Sequence, residues 1–220
     1  MNSVISFFQN GGPFMYPIAL VLVIGLALAI ERWVFLTVAK GTNRRTFDRM
    51  LPLLRKKDYA GVVELARSTK APIGRIVASG VARMQQTPRR DEIEYAMEEG
   101  VMEAVPRLEK RTPYLATLAN ISTLLGLLGT IMGLIAAFTA VANADPSEKA
   151  TLLSESISVA MNTTAFGLMA AIPLLLIHAM LQNKTTEIVD SLEMAGVKCL
   201  NIMSSTNTFN SRTRQTDAVK

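Results

Sequence analysis

Thr130 lies in one long apolar stretch, and Thr163 and Thr164 lie in another. The two stretches, residues 115–142 and 157–181, hold no acidic or basic side chain except His178. Inside a bilayer every polar group must find a partner or line a wet path. A threonine hydroxyl can donate to a carbonyl of its own helix, bridge two helices, or turn its oxygen toward a passing proton or hard cation. The first two uses hold helices together and the third makes an ion route; the residues by themselves leave both open. Thr123 and Asn162 extend the same polar set. Neither stretch carries a carboxylate at mid-depth, so a proton crossing here needs a titratable group from another chain.

The elements that must position these hydroxyls are membrane spans. The chain has 220 residues, is 50% hydrophobic and has a mean hydropathy of +0.28, with its apolar residues gathered in blocks long enough to cross ~30 Å of hydrocarbon. The pattern predicts an all-α membrane protein with three transmembrane helices, at residues 14–38, 115–142 and 157–181. Residues 1–13 are a short leading segment in which Phe7 and Phe8 could rest on a membrane surface. Glu31, Arg32 and Trp33 arrive where a helix leaves the hydrocarbon; an interfacial Trp and an Arg reaching outward suit that depth. Gly126, Gly129 and Gly133 recur at intervals of three and four, which strips one stripe of side chains and permits close helix packing, or a hinge. Pro173 removes a backbone donor inside the third span, giving a kink or a flexing point.

Between the first and second spans, residues 39–114 form a polar block with 16 Lys/Arg and 10 Asp/Glu. It reads as short helices punctuated by Pro52, Pro72 and Pro88, with one helix over 91–110 starting near Thr87-Pro88. Pro106 and Pro113 are expected to kink or break the approach to the second span. The connector 143–156 is short and acidic. Residues 182–220 continue the third helix, and the last dozen, from Phe209, have a disordered composition. Five basic residues lie in 182–220, one in the connector and none in residues 1–13. The positive-inside rule therefore predicts an outward N-terminus and connector, with the block and the C-terminus in the cytoplasm. Helical cytoplasmic extensions follow from that topology.

The charge of +5 is explained by topology, and no nucleic-acid partner is expected. The basic block would lie near anionic lipid head groups. The lone Cys199 excludes an internal disulfide, and no metal site or cofactor is expected. The first 13 residues lack the basic region of a signal peptide, so the first apolar segment is expected to be a retained span.

Residues 124–133, LLGLLGTIMG, resemble the LLGLLGTVxGM signature of the ExbB/TolQ/MotA proton-channel family, and Thr164-Ala165-Phe166-Gly167-Leu168 with Ala170-Ala171-Ile172-Pro173 resembles its TAxGLxxAIP signature. Gly11-Gly12-Pro13, Met15, Pro17 and Glu31-Arg32 are similar to the first span of ExbB-like members. The resemblance implies a ring of subunits, usually a pentamer, with the second and third spans lining a pore. It implies an ExbD-like single-span partner supplying a membrane Asp, pore threonines at Thr130 and Thr164, and a TonB-like energy transducer. Val159 stands where ExbB and TolQ members commonly have Glu, and Thr123 where they have Pro. The hydroxyls of Thr163 and Thr164 also permit a sodium-coupled version. No bond-making chemistry is expected. The rival readings are a TolQ-like envelope motor and a non-conducting membrane scaffold.

Overall fold

The computed structural model describes residues 11–87 and 89–217. Among them lie six helices: α1 (Met15–Arg55), α2 (Tyr59–Ser68), α3 (Pro72–Gln86), α4 (Arg90–Glu109), α5 (Thr112–Ala142) and α6 (Lys149–Asp217). Three helices are long and apolar enough to cross a membrane, at the start of α1, in α5 and in the first part of α6. The expected positions of Phe7, Phe8 and Pro88 lie outside the described residues.

The chain divides into two compact units. The first comprises residues up to Trp33 together with Arg111–Gln182. Its interior is built from Met15 and Ile18 of α1, Leu115, Ala119 and Ala137 of α5, and Ala160, Ala170, Ala171 and Leu174 of α6. The buried set is mostly small because these helices approach closely. A Cβ on Gly25 would fall 2.6 Å from Leu174 Cδ2. Large apolar residues instead point outward, among them Leu20, Leu124, Phe138, Met169 and Leu176. That inversion is what lipid as solvent permits.

The second unit comprises Val34–Lys110 and the chain from Asn183 onward. It has an ordinary apolar core, with Met50, Leu54, Ile73, Ile76, Val77, Ile93 and Leu108 almost fully buried together with Ile188, Leu192 and Cys199 of α6. Here glycine again sets a helix spacing. A Cβ on Gly80 of α3 would sit 2.7 Å from Met97 Cγ, and one on Gly100 of α4 3.2 Å from Ile76 Cα. α2 begins on Asp58, whose carboxylate accepts from the Gly61 N–H at 3.0 Å.

Pro72 opens a helix and the approach to the second span is broken, as the sequence suggests, but the other prolines act differently. Pro52 and Pro106 lie inside α1 and α4, within a turn of the helix end, where few bonds remain to be lost. Pro72 and Pro113 sit in the first turns of α3 and α5, where a missing N–H costs nothing. The break before the second span falls at Lys110-Arg111, and Arg111 takes a left-handed φ of 71°. α6 continues through Pro173 without interruption, since one lost donor does not end a helix held on both sides. It also starts at Lys149, shortening the connector, and runs to Asp217 through residues whose composition suggests disorder. No Gly or Pro occurs between residues 197 and 217 to stop it.

Burial holds the Cys199 thiol in its neutral form, with its pKa pushed up from 9.0 to about 12. The thiolate is the reactive species. Cys199 in the folded protein should therefore resist maleimide between pH 7 and 9 and become labelled only on unfolding, a difference that mass spectrometry of quenched samples reads directly. Rapid labelling of the folded protein at pH 8 would show the second unit opening locally.

Candidate functional site

The site is the contact between α5 and α6 in the first unit. Buried residues on α5 fall at Leu115, Ala119, Ser122, Gly126, Gly129 and Ala137, one stripe at helical spacing. Opposite them stand Ala160, Thr163, Gly167 and Ala171 of α6. The helices run antiparallel: Gly133 meets Ala160, Gly126 meets Thr164 and Gly167, and Ser122 meets Gly167. A Cβ on Gly167 would lie 2.7 Å from the Ser122 carbonyl oxygen and 3.0 Å from Gly126 Cα. One on Gly129 would lie 2.4 Å from Thr163 Cγ2.

This contact sorts the hydroxyls. Thr164 Oγ1 donates across the helices to the Gly126 carbonyl at 2.8 Å. Thr163, 2% exposed, has its one hydroxyl proton within reach of two carbonyls, Gly11 at 2.6 Å and Val159 of its own helix at 3.0 Å. Thr130 donates to Leu127 at 2.6 Å, and Thr123 to Ala119 at 3.2 Å. Each proton is thus placed on a carbonyl, leaving hydroxyl oxygen lone pairs as acceptors.

The start of α1 and the residues before it occupy one side of the α5–α6 pair. Gly11 reaches Thr163, Gly12 reaches Val159, and Phe14 lies against Gly129. Thr130 and Thr164 each follow a residue on that side by one position, about 100° further round the helix. Because the helices are antiparallel and face each other, that step carries both threonines to the side opposite α1. Among the described residues nothing covers that side, where Leu127 is 53%, Met161 65% and Leu168 45% exposed. Thr123 shares the α5 face with Thr130. Asn162 does not join them, since it stands about 160° round α6 from Thr164. Val159 is also turned away, toward Gly12.

Of the anchor residues, Glu31 pairs with Arg111 at 3.4 Å, both ends exposed, and Trp33 is 44% exposed. Arg32 departs from expectation: it is 3% exposed and turned into protein rather than outward. His178 is half-buried. No three His, Cys, Asp or Glu side chains gather among the described residues in a way that could hold a metal. Sequence reasoning missed Ser122, whose hydroxyl is buried and has no hydrogen-bond partner among the described residues. Its spacing of four and seven from Gly126 and Gly129 was the available signal. It also gave Gly167 no packing role, although this glycine comes closest to the backbone of the neighbouring helix.

Residues 68–194, more than half of the chain, match the model of the MotA/TolQ/ExbB proton channel family. A Synechocystis sp. protein designated ExbB-like 3 is 29% identical over 76% of this chain and 79% of its own length. The biopolymer transport protein exbB1 of Vibrio cholerae is 31% identical over 79% of this chain and 76% of its own. The Tol-Pal system protein TolQ of Haemophilus influenzae is 41% identical over a shorter stretch, 36% of this chain and 34% of its own.

Gly167→Val should destabilise the helix pair by about 1–3 kcal/mol through overpacking. Ser122→Ala should stabilise it by about 1 kcal/mol by removing a buried, unpartnered hydroxyl. Thermal unfolding in detergent compares them; a destabilised Ser122→Ala variant would mean that this hydroxyl has a partner in the assembled protein.

Proposed function

The chain belongs to the MotA/TolQ/ExbB proton channel family, and from that membership we propose that it is an ion-conducting subunit of an ExbB-like inner-membrane motor. Several copies, in our reading five, close into a ring with α5 and α6 inside and α1 outside. A single-span partner occupies the centre and brings the membrane Asp that the two spans lack. The proton passes at that Asp, and the motion it drives is delivered to a TonB-like transducer serving outer-membrane transport. The N-terminus and the 143–156 connector face the periplasm, and the basic block and C-terminus face the cytoplasm.

The observation that supports this reading is the shared placement of Thr130 and Thr164. Both lie opposite α1, on a side of the α5–α6 pair that the described residues leave uncovered, within spans free of Asp, Glu, Lys and Arg. Their protons are committed to carbonyls, so toward a partner they offer oxygen. A protonated Asp can donate to such an oxygen, and a sodium ion can bind it. Thr163 and Asn162 stand outside the path in this reading, since one is buried toward α1 and the other is turned away. A TolQ-like output at the same site is the second reading, favoured by the similarity to TolQ over 80 residues.

Magnitudes separate conduction from a scaffold role. An interhelical hydrogen bond in a membrane contributes about 0.6 kcal/mol on average. Thr164→Val should therefore leave the ring assembled with a melting temperature nearly unchanged. If the oxygen serves the ion, the same variant should lose energy coupling by about tenfold or more, Thr130→Val should behave alike, and Thr164→Ser should restore coupling. Proton flux in proteoliposomes, measured with the partner chain present, decides the matter; wild-type flux in both valine variants would leave only the scaffold. Native mass spectrometry of the purified complex should find a second, single-span chain in every active particle.

A further inference from the structure

We infer that the second unit carries a binding site for an anionic phospholipid, in the cavity enclosed by α1, α3 and α4. The cavity measures 480 Å³. One wall is apolar, made by Phe35 and Val38 of α1 and Leu108 of α4. The other carries Lys70, Arg75 and Arg107. Glu103 is the one acidic residue among the lining residues, and it pairs with Arg107 at 2.7 Å and Arg75 at 3.5 Å. Three cations against one carboxylate leave a surplus of two positive charges. Lys70 makes no ion pair among the described residues, and both arginine side chains remain more than half exposed. The backbone offers little: the first-turn N–H groups of α3 are already taken, Ile73 by the Asn43 side chain at 3.3 Å and Gly74 by the Ala71 carbonyl at 3.0 Å. Recognition of an anion here rests on the three cationic side chains.

Two features select a lipid over a soluble anion. Phe35, Val38 and Thr42 fall on one face of α1 at spacings of three and four. They start within the last turn of its apolar run and end one turn past it, the depth of phosphate groups in a leaflet. Phe35 and Val38 are also 41% and 61% exposed, so the apolar wall opens outward along the helix. A phosphodiester on Arg75, Arg107 and Lys70 with an acyl chain against Phe35 and Val38 satisfies both halves of the cavity. A small soluble phosphate satisfies one. Basic pockets at the cytoplasmic membrane face are suited to such head groups. The site is independent of ion conduction, since no residue of the α5–α6 contact takes part.

The test uses the full-length protein, as purified with any partner it retains, placed in nanodiscs of equimolar phosphatidylglycerol and phosphatidylcholine, then released and weighed by native mass spectrometry. Wild type should retain phosphatidylglycerol in preference to phosphatidylcholine. Lys70→Gln/Arg107→Gln should lose that preference by at least about tenfold, whereas Arg83→Gln, on α3 outside the cavity, should keep it. Should the double variant fail to assemble, Lys70→Gln alone, at an exposed residue without an ion pair, must show a weaker form of the same loss. Added glycerol phosphate should not displace the lipid. Equal retention of the two lipids, equal loss in the Arg83 variant, displacement by glycerol phosphate, or disulfide capture of Lys70→Cys by a neighbouring copy with no lipid bound would each overturn the proposal.

Discussion

The backbone contact between Gly126 and Gly167 is the constraint on which the first unit depends. Lipid tails are as apolar as leucine, so two helices in a bilayer gain nothing by hiding leucine from lipid. They associate when their backbones come within van der Waals reach, which requires residues without side chains. With Gly126, Gly129 and Gly133 facing Ala160, Thr163 and Gly167, the approach is close enough for Thr164 to reach a carbonyl on the neighbouring helix. That bond is a consequence of the spacing rather than its cause. It adds a fraction of a kcal/mol, whereas a methyl group at Gly167 would overlap backbone atoms that cannot move aside.

The same contact assigns sides. Once α5 and α6 meet along one stripe, a residue's angle round the helix decides whether it faces α1, the stripe or the uncovered surface. Thr163 and Thr164 are neighbours in the chain yet take opposite situations, one buried against Gly11 and the other at the edge of the uncovered side. The hydroxyls thus serve as glue and as a candidate ion surface together, because a hydroxyl that donates to a carbonyl still has an oxygen to offer. The polar block follows different physics. Its core is large and apolar, as water requires, and the glycines at 80 and 100 serve only to bring α3 onto α4.

Length and hydropathy sufficed to place three membrane-crossing helices, since a helical run of ~20 apolar residues matches the thickness of the hydrocarbon layer. The two glycine- and threonine-bearing motifs sufficed for the family, and Lys/Arg asymmetry gave a definite expectation for topology. The effects of proline were not legible, because a proline near a helix end is harmless and one in a helix held on both sides is tolerated, and a linear sequence does not show which case applies. Arg32 was unreadable for a similar reason: the same long side chain reaches outward or packs inward depending on what neighbours it meets. Tertiary structure alone decided which hydroxyl faces which surface. It grouped Thr130 with Thr164, turned Asn162 and Val159 elsewhere, and brought Gly167 against Ser122, because an angle of about 100° per residue acquires a meaning only after the helices have chosen their common stripe.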